Sequence, residues 1–134
     1  MTNENKGTII IADDDGMILS MYNRFFGNAF PDFSVEPFPD GTSLVARLDK
    51  GIIIPTVVVT DNEMPGIQGR KIVEKYASQV PIILAYGGDK EIGEEAMTNG
   101  AYGFVKKPFE WNVFLDTIES ALEASESWPK ESSQ

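Results

Sequence analysis

Short apolar runs alternate five times with stretches of helical periodicity, and this alternation constrains the fold more than any single residue does. Thr8–Ala12 is a run of isoleucine with no polar alternation, the mark of a strand buried on both faces. Asp15 then caps a helix whose apolar positions Ile18, Tyr22, Phe25, Phe26 and Ala29 follow the 3.6-residue period, and Pro31 ends it. Ser34–Phe38 reads as a second, shorter strand. A weak helix follows, with Leu44, Val45 and Leu48 on one side and Gly51 as its stop. Thr56–Thr60 is the third strand, valine-rich, with Pro55 just ahead of it where a missing N–H is tolerated. Asn62–Gly69 reads as a loop, and a helix carrying Ile72, Val73 and Tyr76 leads to Pro81. Pro81–Ala85 is the fourth strand and Gly87-Gly88 a break. Ile92, Ala96 and Met97 mark a fourth helix, stopped by Asn99-Gly100. Gly103–Val105 is a short fifth strand. After Pro108 a last helix carries Phe114, Leu115, Ile118 and Leu122.

Five strand–helix units predict an α/β fold, a parallel sheet covered on both faces. The 134 residues suffice for one such domain and no second. The expected boundaries are a disordered polar segment over 1–7, the domain over 8–125 and a tail over 126–134, frayed from Trp128 onward. Nothing after the last helix is long enough for an output domain of its own.

Composition narrows the chemistry. The chain has no cysteine and no histidine, which removes thiol nucleophiles, disulfides, imidazole bases and His- or Cys-ligated zinc. A bound metal should be hard and oxygen-liking. The 21 acidic residues outweigh the 11 basic ones, for a net charge of −10, which argues against nucleic-acid and anionic-membrane partners. No segment has the length of a membrane span, and the polar N-terminus lacks the apolar core of a signal peptide. A cytoplasmic protein is the expectation.

In parallel α/β sheets, ligands sit beyond the C-terminal ends of the strands. Here the first strand is followed by Asp13-Asp14-Asp15, the third by Asp61 and the fifth by Lys106-Lys107-Pro108. In a doubly wound sheet the first and third strands are neighbours and the fifth is near. Carboxylates and an ammonium would then converge in one shallow cleft. Such carboxylates repel unless a cation joins them, and magnesium suits a site of one or two carboxylates, water and a phosphate oxygen. A carboxylate beside magnesium and lysine is a fit phosphoryl acceptor, because that transfer needs in-line positioning and charge neutralisation above all. Asp61, followed by a tight Met64-Pro65-Gly66 turn, is the best placed candidate. Taken singly, Asp15 is a helix cap, Asp61 a turn residue and Lys106 a solvated charge; only their joint placement is specific.

These segments resemble the receiver domain of bacterial two-component response regulators. The resemblance spans about Thr8 to Leu122. It is carried by Ile9-Ile10-Ile11-Ala12-Asp13-Asp14-Asp15, by Asp61-Asn62-Glu63-Met64-Pro65-Gly66-Ile67-Gln68-Gly69, and by Gly100-Ala101-Tyr102-Gly103-Phe104-Val105-Lys106-Lys107-Pro108-Phe109. It implies a flavodoxin-like (βα)5 fold, a doubly wound five-stranded parallel sheet in the order 2-1-3-4-5. It implies that Asp61 is the phosphoacceptor, and that Asp13 and Asp14 hold magnesium, with Asp14 favoured as the direct ligand. Glu63 would lend its backbone carbonyl to the metal and Lys107 would pair with the phosphoryl oxygens. The Lys107-Pro108 bond is expected to be cis. Phe104 matches the aromatic position whose rotamer reports the phosphorylated state. The implied partners are a histidine kinase or phosphotransfer protein as donor. A downstream protein or a second copy would bind the face of the fourth helix, fifth strand and last helix.

One position departs from the family. Its Ser or Thr at the end of the fourth strand, whose hydroxyl bonds the phosphoryl group, is matched here by Tyr86, and no Ser or Thr occurs between Pro81 and Met97. A phenol carries its hydroxyl farther from the backbone and fills the space into which Phe104 would swing. This motivates a second expectation, a degenerate receiver acting as an interaction module independent of phosphorylation. A third, a magnesium-dependent phosphatase with Asp61 as nucleophile and Glu63 as acid, lacks a cap domain and a substrate pocket. Tyr102 and Trp111 are further candidates for exposed partner-binding aromatics.

Overall fold

A computed structural model describes residues 5–51 and 53–129. Five strands and five helices alternate: β1 (Gly7–Ala12), α1 (Gly16–Ala29), β2 (Phe33–Phe38), α2 (Gly41–Lys50), β3 (Val57–Asp61), α3 (Gly69–Tyr76), β4 (Ile82–Tyr86), α4 (Lys90–Thr98), β5 (Gly103–Lys106) and α5 (Trp111–Ala124). All strand pairs are parallel, and the order is β2-β1-β3-β4-β5. The expected doubly wound, flavodoxin-like fold is therefore the observed one.

The side-chain alternation of the strands sorts the core into two layers. Ile9 and Ile11, Val57 and Val59, and Ile83 and Ala85 face α1 and α5, against Tyr22, Phe26, Phe114 and Ile118. Ile10, Val58, Ile82 and Leu84 face the other way, against Leu44 and Leu48 of α2, Ile72 and Val73 of α3 and Ala96 of α4. Asp15 is the N-cap of α1, its carboxylate accepting from the N–H groups of Met17 and Ile18. Asp40 caps α2 in the same way through Ser43. Gly51 closes α2 in the left-handed conformation that glycine adopts without a Cβ penalty.

The termini differ from expectation. Lys6 donates its backbone N–H to Asp32 and pairs with its carboxylate, and β1 already includes Gly7. Residues 1–4 and 130–134 of the expected flexible ends lie outside the described residues. At the other end, Ser125–Ser127 form a 3-10 turn and Trp128 is anchored rather than frayed. Its indole N–H donates to the Ala77 carbonyl at 2.7 Å, and its ring meets Tyr102 edge to face at 5.8 Å. An indole with both a hydrogen-bond acceptor and an aromatic neighbour has reason to stay put. The other aromatics in question are packed as well. Trp111 sits among Tyr22, Phe25, Phe26 and Phe114, and Tyr102 also shares a hydrogen bond with Ser120.

Candidate functional site

Three strands end one residue later than their apolar runs. The backbone ladder carries on into polar sequence, with Asn62 donating to the Ala85 carbonyl at 2.8 Å and Lys107 to the Tyr86 carbonyl at 2.7 Å. Asp61, Tyr86 and Lys106 are therefore terminal strand residues, not the first residues of loops. Strand geometry thus holds Asp61 rigidly at the centre of the sheet, opposite Ala85.

Asp13, Asp14 and Asp61 converge there. One carboxylate oxygen from each lies within 4.8 Å of the others. Asp13 is 3% exposed and Asp61 8%, while Asp14 is open to solvent. The Lys107 ammonium stands 3.0 Å from Asp61 and 3.6 Å from Asp13. A second oxygen of Asp13 accepts the backbone N–H of Asp15 at 2.9 Å, which fixes its rotamer. Asp15 itself faces the helix it caps.

Burial raises the Asp61 carboxyl above the ordinary range; Lys107 opposes the shift, and the charges of Asp13 and Asp14 add to it. Burial pulls the Lys107 ammonium down, but its hydrogen bond to Asp61 and the charges of Asp61 and Asp13 outweigh that, so its pKa is raised. One lysine among three carboxylates leaves the cluster short of positive charge. These oxygens, close together, partly buried and open on the Asp14 side, fit a hard divalent cation such as magnesium.

Several residues shape this site that sequence reasoning passed over. Asn62 is buried, and it clasps the loop after Asp61: its side-chain oxygen accepts from Arg70 at 3.0 Å and its carbonyl from Gly69 at 2.9 Å. Gly69 must stay small, since a Cβ there would lie 2.4 Å from the Asp61 carbonyl oxygen. Glu63 projects from this clasped loop into solvent. Tyr22 of α1 lies close enough for its phenol to feel Lys107, Asp13 and Asp61, though burial is the largest cause of its raised pKa. An Asn directly after a strand-ending acid was the available signal for the clasp; nothing local marks Tyr22.

The two aromatics of interest lie on the α4 side. Tyr86 is 1% exposed and packs against Phe104, ring centroids 5.8 Å apart, while Phe104 is 40% exposed. The Lys107-Pro108 bond is cis, as expected.

Residues 9–119 match the response regulator receiver domain family. The chain belongs to this family. The receiver domain is 34% identical over 125 residues to the transcriptional regulatory protein FixJ of Bradyrhizobium diazoefficiens, covering 90% of this chain and 59% of that protein. A second relative is the C4-dicarboxylate transport transcriptional regulatory protein DctD of Pseudomonas aeruginosa. It is 42% identical over 73 residues, 52% of this chain and 16% of that protein. The chain thus spans 59% of the length of the first relative and 16% of the second. Among solved structures, the N-terminal domain of FixJ superposes with a TM-score of 0.75 at 28% identity, covering 92% of this chain and 96% of that one. A receiver domain from Clostridium thermocellum reaches 0.80 at 22% identity, over 90% and 97% of the two chains, a likeness of fold. Among the described residues no helix is long and apolar enough to cross a membrane.

Proposed function

We propose that this receiver domain accepts a phosphoryl group on Asp61 from a phosphohistidine of a histidine kinase or phosphotransfer protein. What carries this reading is the grouping of Asp13, Asp14, Asp61 and Lys107 at the ends of three strands in a chain of this family. An Asp61 carboxylate oxygen attacks phosphorus as the P–N bond of the donor breaks, and the bond's electron pair stays on the imidazole, which leaves neutral because its other ring nitrogen already carries a proton. Lys107, already 3.0 Å from Asp61, stays to pair with the transferred oxygens. Asp13, Asp14, Asp61 and the Glu63 backbone carbonyl would hold magnesium, which supplies charge neutralisation on the phosphoryl oxygens. The domain is a stoichiometric acceptor in this scheme, able at most to lose its own phosphoryl group to water.

In the family register Tyr86 stands where a Ser or Thr is expected, but its hydroxyl lies beneath α4 beside Gly93, and in this reading it takes no part in holding the phosphoryl group. The outward face of α4, β5 and α5 is the output surface in this reading, toward a downstream protein or a second copy. It carries exposed Met97, Phe104 and Val113 around a shallow groove. A cytoplasmic setting goes with a kinase donor.

Beryllofluoride or acetyl phosphate with magnesium tests this. Wild type should gain one bound beryllofluoride by 19F NMR, or one labile phosphoryl group by mass, and Asp61→Ala should gain neither. An identical response in the two proteins would refute it.

A further inference from the structure

The fourth strand carries its side chains alternately to the two layers of the core. Ile82 and Leu84 belong to the α2–α3–α4 layer, and Tyr86, two residues on, shares their side of the sheet. Its phenol therefore runs along the underside of α4. A Cβ built on Gly93, in the middle of that helix, would lie 2.7 Å from the Tyr86 hydroxyl oxygen and 2.9 Å from its ring. The same Cβ would lie 2.9 Å from Cδ1 of Phe104. Helix, tyrosine and phenylalanine thus meet with no room for one added methyl group. Gly93 is a weak helix former, and close packing of two rings gives a reason for it to stand mid-helix.

The consequence lies with Phe104. Its ring leans on Tyr86 from outside and remains 40% exposed. The space inward of it, between α4 and the end of β4, is filled by Tyr86, the bulkiest of the fully buried side chains. Close-packed interiors do not make room for a second ring without moving a helix. At its backbone, meanwhile, Tyr86 is one hydrogen bond from the candidate site, through the N–H of Lys107. A rearrangement at Asp61 and Lys107 would reach the main chain of Tyr86, whose side chain is enclosed between α4 and the Phe104 ring.

We propose that Tyr86 is a fixed wedge beneath α4 that keeps the Phe104 ring on the surface whether or not Asp61 carries a phosphoryl group. This rests on Asp61 being the phosphoacceptor. It adds that modification at Asp61 does not reach the α4–β5–α5 face through movement of Phe104. Gly93 is the residue that admits the wedge.

The test uses the full chain with ring-labelled phenylalanine and methyl-labelled methionine, titrated with beryllofluoride and magnesium. The 19F signal of bound beryllofluoride reports on Asp61; the Phe104 ring and Met97 methyl signals report on the face. In wild type the 19F signal should appear while Phe104 and Met97 stay where they are. Tyr86→Phe, which keeps the ring, should behave the same way. Tyr86→Thr, which empties the slot, should bind beryllofluoride and now shift both reporters. Gly93→Ala, which crowds the slot from the helix side, should displace the Phe104 signal before any ligand is added. A ligand-induced Phe104 shift in wild type as large as in Tyr86→Thr would overturn the wedge, as would a Tyr86→Thr protein whose Phe104 never moves. Absence of the 19F signal from every variant would instead overturn the phosphoacceptor reading, and the wedge with it. Should Tyr86→Thr fail to fold, the wild-type and Gly93→Ala measurements still decide.

Discussion

The two layers of the core are built on different principles. On the α1–α5 side, bulk does the holding: Tyr22, Phe26, Trp111 and Phe114 form a ring cluster with centroid distances of 5.5 to 5.9 Å. On the α2–α3–α4 side the packed residues are mostly aliphatic, and the backbone approaches closely. Gly41 leaves no room for a Cβ beside the Ile67 carbonyl, and Gly69 leaves none beside that of Asp61. Polar clasps complete that side: Asn62 on the start of α3, and Tyr76 of α3 on Asp49 of α2. A layer held by bulk suffers most from truncation, and a layer held by close approach suffers most from addition. Asp61 stands at the seam, with α5 on one side of its strand and the clasped loop on the other.

The sharpest contrast should come from Phe26→Ala. Phe26 is fully buried, so its removal should cost about 3–5 kcal/mol, read from the denaturant midpoint. Enlarging the other layer by Gly69→Ala should cost about 1–3 kcal/mol and also disturb the site, because the new methyl presses on the Asp61 carbonyl. A second effect separates site from scaffold. Magnesium at 100 times its Kd should add ~2.7 kcal/mol of stability to wild type and nothing to Asp61→Asn. Equal gains in the two proteins would mean that the cation binds elsewhere. Removing the α1 cap by Asp15→Ala should cost about 1 kcal/mol with little change in the magnesium response, since that carboxylate serves the helix. A large loss of magnesium affinity would move Asp15 into the site.

Parallel strands buried on both faces appear as unbroken runs of Ile and Val, so Ile9–Ile11 and Val57–Val59 announced their strands. The topology those strands imply brings the acids at the ends of β1 and β3 together with a lysine at the end of β5, while the choice of Lys107 over Lys106 came only with the family resemblance. The expected strand ends fall one residue short because the last ladder bonds are backbone bonds: Asp61 and Lys106 are charged, and Tyr86 stands directly before the Gly87-Gly88 break. Trp128 read as frayed because its anchor, the Ala77 carbonyl, is 51 positions away along the chain. Asn62 lies in a stretch that reads only as a loop, and nothing in the local sequence explains a glycine at position 93 in the middle of α4. Each makes sense only beside a partner brought near by folding: Arg70 and Gly69 for Asn62, Tyr86 and Phe104 for Gly93. Local pattern carries burial and periodicity; it does not carry which backbone will come close to which.

The smallest effect concerns the clasp between α2 and α3, and pH is the means of seeing it. Tyr76 is buried, and its phenol donates to the Asp49 carboxylate. Burial first, then that hydrogen bond and the Asp49 charge, push its pKa from 10.0 up to about 12. The unfolded chain would ionise Tyr76 near 10 and the folded chain only near 12. A group whose pKa is raised by folding contributes its stability in full below the unfolded value and loses it as pH climbs through the folded one. Wild type should therefore lose stability between about pH 10 and pH 12 beyond what its other groups cause. Tyr76→Phe should start about 1 kcal/mol lower at pH 7, for the lost hydrogen bond, and show a shallower decline across that window. Parallel declines for the two proteins would mean that the phenol contributes nothing, and that close approach of α2 and α3 holds without a polar clasp.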